Sequence, residues 1–170
     1  MNNKKILVPV TLSDGSLSSV LVALPLAQEL SATMVLFHVL PTGWTGEEGD
    51  ALWRLRQLAE RAHPQGPIEY VVSEGNVADK IVEQAETLNA DAIVMSTHGE
   101  KGWFRWLHRQ TARKVLRRAS RPVWLVSPGG HRQPVMMRML DSPQPAHASS
   151  VAHSLFAPLL AFFRQVWPIS

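Results

Sequence analysis

"DAIVMSTHG", residues 91–99, is the stretch on which the fold depends. Its apolar run, residues 92–95, reads as a strand buried on both faces, and the polar "STHG" ends it. The "EKGWFRW" that follows leads into a basic, aromatic segment expected to be helical over residues 103–119. Strand, short loop and helix make half of a parallel unit. The rest of the chain must supply its partners.

Working outward, residues 77–88 place Ile81, Val82, Ala85 and Leu88 on one helical face. On the other side, "PVWLV" opens at Pro122 and closes at Val126, a short apolar strand expected at the edge of the sheet. "KILVPV" (5–10) and "TMVLFHVL" (33–40) are runs of the same buried type. Between them lies a helix over residues 16–30, with Val20, Leu21, Leu24, Ala27 and Leu30 at helical spacing, Ser16 as its N-cap and Pro25 expected to bend it. "PTGWTGEEGD" is a loop before a helix over 51–62, and "IEYVVS" (68–73) alternates as an edge strand does. Five such strands separated by helices imply an α/β fold, a parallel sheet covered on both faces. Ligands then bind beyond the carboxyl ends of the strands, which puts "VPVTLS" and "MSTHG" at the functional edge.

Composition narrows the chemistry. The chain has 170 residues, 45% of them hydrophobic, enough for one domain with a remainder. It has no cysteine, which excludes disulfides and thiolate catalysis, and its seven histidines form no i, i+4 pair with a third ligand nearby. No metal is expected. The opening "MNNKKILVPV" lacks the long apolar core of a secretory signal, so a cytoplasmic location is expected. The net charge is +3, yet nine Lys and Arg lie between Glu100 and Arg132 against that one acid. Such a block attracts anions, although a solvated helix face accounts for it more simply. Trp103 and Trp106 flank Phe104 and Arg105 and could stack on bases, but three apart they share a helix face suited to covering the sheet or a partner. Nucleic acid is not expected as a partner. His98 has no nucleophile placed to work with it, His38 reads as a packed strand residue, and Asp91 as a strand-start acid. The chain is not expected to be an enzyme.

Beyond residue 127 the composition changes. Residues 1–127 are expected to form the domain, 128–150 a linker rich in Pro, Gly and Ser, and 151–170 an apolar tail with Leu155, Leu159, Phe162 and Val166 on one helical face. With Arg164 as its one cation, the tail is expected to dock on protein and not on a membrane surface.

Three signatures carry a resemblance. "KILVPVTLSDGSLSSVLVALPLA", "EGNVADKIVEQAETLNADAIVMSTHG" and "TARKVLRRASRPVWLVSPG" resemble the opening strand and turn, the central helix–strand–loop, and the closing helix and strand of the universal stress protein family, over residues 4–127. The resemblance implies a flavodoxin-like (Rossmann-like) sheet of order 3-2-1-4-5. It also implies a homodimer through the fifth strand and a stress-response or regulatory role with or without ATP. The nucleotide site it implies takes Pro9, Val10 and Thr11 from the first strand and Val39 from the second. Met95, Ser96, His98, Gly99 and Gly102 come from the fourth strand and its loop, Arg109 and Gln110 from the next helix.

Members that bind ATP carry Gly-x-x-Gly-x9-Gly-[Ser or Thr], whereas this chain reads Ser96-x-x-Gly99-x9-Arg109-Gln110. Ser96 is small and its hydroxyl can donate to phosphate; Arg109 either fills the site or clamps phosphate with its charged fork. Thr11 stands where the family has an aspartate for the adenosine end. Weak or absent ATP binding is expected. The alternative is an ATP-binding, nucleotide-dependent switch or a transporter regulator.

Overall fold

The computed structural model describes residues 4–13, 16–46, 48–96, 103–126 and 135–136. Strands and helices alternate: β1 (Lys5–Pro9), α1 (Leu17–Glu29), β2 (Thr33–Leu40), α2 (Glu48–Arg61), β3 (Ile68–Glu74), α3 (Val77–Thr87), β4 (Ala92–Ser96), α4 (Trp103–Arg118) and β5 (Val123–Val126). A short β6 (Val135–Met136) follows. The sheet order is β3-β2-β1-β4-β5-β6, with the first five strands parallel. This is the expected 3-2-1-4-5 flavodoxin-like sheet with one antiparallel strand added.

The continuous apolar runs are explained by burial on both faces. Leu7, Val35, Phe37, Ile93, Val123 and Leu125 pack with Ala78, Ile81 and Ala85 of α3 and Ala112 and Val115 of α4. Ile6, Val8, Leu36 and Val94 alternate with them along the strands and are likewise buried. On that second face α1 lies against β1, β2 and β4, and α2 against β2 and β3. Because the helices change faces after β3, the strand order reverses between β1 and β4. Asp91 ties these two strands at their start: its side chain accepts from the Lys5 N–H at 2.8 Å and its own N–H donates to the Lys5 carbonyl. The strand-start reading of this acid is correct.

Several boundaries move. Helix α1 runs through Pro25, and Ser16 stands at its N-cap position but makes no side-chain cap, its backbone already helical. Helix α2 begins at Glu48, before the expected residue 51, with Glu48 and Asp50 in its first turn where the helix dipole favours anions. β3 is an edge strand as expected.

β5 is not the edge that was expected. Trp124 pairs with Met136 and Leu125 with Val135, antiparallel, inside the stretch read as linker. A strand covered by helices but unpaired along one side still presents bare N–H and C=O groups, and Val135 meets those of Leu125. The tail reading, residues 151–170, lies outside the described residues. Among the described residues, no helix is long and apolar enough to cross a membrane.

Candidate functional site

The crevice beyond the reversal point is built from the ends of β1 and β4, with β2 beside them. Pro9 closes β1 opposite Phe37, and the Val10 N–H donates to the Phe37 carbonyl at 2.9 Å. The next residue, Thr11, is exposed, while Ser16 is only 4% exposed.

Three hydroxyls meet here. The Ser16 Oγ accepts from the Thr11 N–H at 2.9 Å and donates to the Thr11 carbonyl at 3.0 Å. The Thr11 Oγ1 lies 2.9 Å from both Ser13 Oγ and Ser16 Oγ. One allocation of protons satisfies every contact: Ser13 donates to Thr11, Thr11 to Ser16, and Ser16 to the Thr11 carbonyl. The cluster is neutral and, in that allocation, keeps its three hydroxyl protons within the turn. It offers an incoming ribose no carboxylate: its oxygens can accept, but they can donate only after an internal bond breaks.

His38 fixes the same corner from β2. Its Nδ1 donates to the Val10 carbonyl at 2.9 Å, so both polar backbone groups of Val10 are held before the chain turns to Thr11. Burial pushes the His38 imidazole below its ordinary value; the bond to Val10 opposes this, and the Arg54 charge adds to it. The ring is therefore neutral at pH 7, with its proton on Nδ1.

Of the expected site residues, Val39 and Met95 come together in one buried cluster with Phe37, on the α3 and α4 face. They form floor, not contacts that reach out. Ser96 closes β4 opposite Val126. Arg109 lies about 9 Å, six residues, along α4 from its start at Trp103, and Gln110 follows, half-buried. His98, Gly99 and Gly102 lie outside the described residues, as does the Arg109 side chain. Sequence reasoning gave Ser16 two places, a helix cap and, with Ser13, the family's turn, and the Thr-x-Ser-x-x-Ser bonds make it the hub of that turn. His38, read as a packed core or strand-end residue, also anchors the site, which the sequence did not show.

Two other features carry no chemistry. Among the described residues no group of three His, Asp or Glu could hold a metal ion. A 310 Å³ cavity lies at the opposite pole, beside Met34 near the start of β2 and Ile68 at the start of β3, lined also by Leu24, Gln28 and Pro67, without a titratable group.

A parallel sheet of this order, with helices on both faces, defines a flavodoxin-like domain. The chain belongs to the universal stress protein family, whose model matches residues 2–127. It is 33% identical over 140 residues to a universal stress protein of Methanocaldococcus jannaschii, covering 72% of this chain and 81% of that one. Among solved structures, a universal stress protein in complex with cAMP is 21% identical with a TM-score of 0.58, covering 74% of this chain and 98% of that chain. One from Archaeoglobus fulgidus in complex with dAMP is 23% identical with a TM-score of 0.55, covering 74% and 98%. These two show the shared fold.

Proposed function

We propose that this protein is a non-enzymatic, regulatory universal stress protein that works as a homodimer in the cytoplasm and holds adenine nucleotide weakly or not at all. The observation that carries the nucleotide reading is the closed hydroxyl cluster. Thr11 is bonded to Ser13 and Ser16, where a carboxylate would have reached for the adenosine end. The non-enzymatic reading rests on the same bonds. These hydroxyls serve one another and His38 serves the Val10 carbonyl, so no described hydroxyl here is held by a base.

A second reading is favoured by α4. It opens at Trp103 with no acid in its first turn, so no carboxylate there offsets the positive end of the helix, which favours a phosphate. On this reading the protein is a nucleotide-dependent switch or a transporter regulator, and Arg109 is a phosphate clamp.

Calorimetry decides between them. For the wild type with ATP, AMP and cAMP, we expect dissociation constants of about 1 mM or weaker, and at least about tenfold tighter ATP binding by the Thr11→Asp, Ser96→Gly, Arg109→Gly triple variant. Micromolar binding by the wild type, lost in Arg109→Gly alone, establishes the switch instead.

A further inference from the structure

The outer side of β5 is claimed by the chain itself. The Ile93 N–H donates to the Pro122 carbonyl at 2.9 Å, and Ile93 stands opposite Val123 in the parallel register. Backbone groups alternate sides along a strand, so Pro122 and Trp124 bond toward β4, while Val123 and Leu125 present their N–H and C=O outward. β6 meets one of these two. Val135 stands opposite Leu125, whose outward N–H and C=O make it the hydrogen-bonded pair, and Met136 stands opposite Trp124. Among the described residues, none of β6 stands opposite Val123.

A second copy of β5, laid antiparallel about a two-fold axis at Trp124, brings Val123 opposite Leu125 and Leu125 opposite Val123. It takes up the Leu125 groups that Val135 uses, together with those of Val123. The two arrangements use the same N–H and C=O groups and exclude each other. We propose that β6 is a cap in cis that competes with a second copy of this chain for the β5 edge, so that release of Val135–Met136 sets the monomer–dimer equilibrium. This rests on the homodimer reading above.

The test uses the full chain. Val135→Pro removes the N–H that bonds to the Leu125 carbonyl, and far-UV circular dichroism of the variant checks that the fold is kept. Sedimentation equilibrium from about 0.1 to 100 µM is expected to show Val135→Pro dimerising about tenfold more tightly than the wild type. Exchange of the Leu125 amide at the lowest concentration is expected to be faster in the variant. Equal dimer constants in the two proteins overturn the cap and leave the dimer standing. A variant that dimerises more weakly also overturns it, because β6 then bridges the copies. Two monomers up to 100 µM remove the dimer reading, and the cap with it.

Discussion

The side chain of Ser16 is buried and serves as acceptor to one Thr11 backbone group and donor to another. Ser16→Ala leaves the Thr11 N–H without its acceptor, and we expect a loss of about 1–3 kcal/mol, read from the denaturant midpoint. Ser16→Thr restores the hydroxyl and is expected to recover part of it. His38 gives a pH dependence whose sign follows from its surroundings. Its folded value lies below the ordinary 6.5, so the unfolded chain takes up the proton first. The stability it contributes is complete above pH 6.5 and is lost as the pH falls through the lower folded value. His38→Asn keeps a donor for the Val10 carbonyl but does not titrate. We expect unfolding midpoints of the wild type to fall more steeply than those of His38→Asn between pH 6.5 and about 5. Equal slopes would reject the assignment. The Ser16 role was legible only in the Thr-x-Ser-x-x-Ser spacing, and the His38 role not at all. A serine before a helix reads as a cap, and only the helical backbone at Ser16 shows that its hydroxyl points back to Thr11.

The join between β3 and α3 rests on two adjacent residues. Gly75 has φ of +138°, a backbone that side chains rarely adopt, and a Cβ there meets Lys80 Cε at 3.2 Å. Gly75→Ala is expected to cost about 1–3 kcal/mol in chemical denaturation. Asn76 then caps α3, its Oδ1 accepting from the Asp79 N–H at 3.3 Å. Asn76→Ala is expected to cost about 0.5–2 kcal/mol, and Asn76→Asp much less. Additive losses in the double variant are not expected, since the residues share one turn. This join was readable as "EGN", because Gly and Asn have strong local preferences. The long apolar strands were readable for a related reason: burial on both faces leaves an uninterrupted run, as in β2 from Thr33 to Leu40. β6 was not. Two residues are too few to show a period, and their pairing is dictated by the bare side of a strand that stands ten residues earlier in Leu125 and Val135.

For the molecule as a whole, the alternation of strands and helices made the parallel sheet legible and put the crevice beyond the carboxyl ends of its strands, while the strand order came from the family resemblance. The chemistry of the crevice was less legible. Spacing could align Thr11 and Ser96 with a nucleotide site, but whether a hydroxyl faces a ligand or its own turn is a matter of three-dimensional bonding. The sheet order has one more consequence, and it concerns time. β1 sits between β2 and β4, and the Lys5 N–H finds its partner only in Asp91, 86 residues further along the chain. At about 5–20 residues per second of synthesis, the first strand waits roughly 4–17 s for that partner to be made. A nascent chain halted before Ala92 therefore has one side of its central strand open, and we expect pulse proteolysis to cleave ribosome-bound chains of residues 1–88 far faster than the released protein.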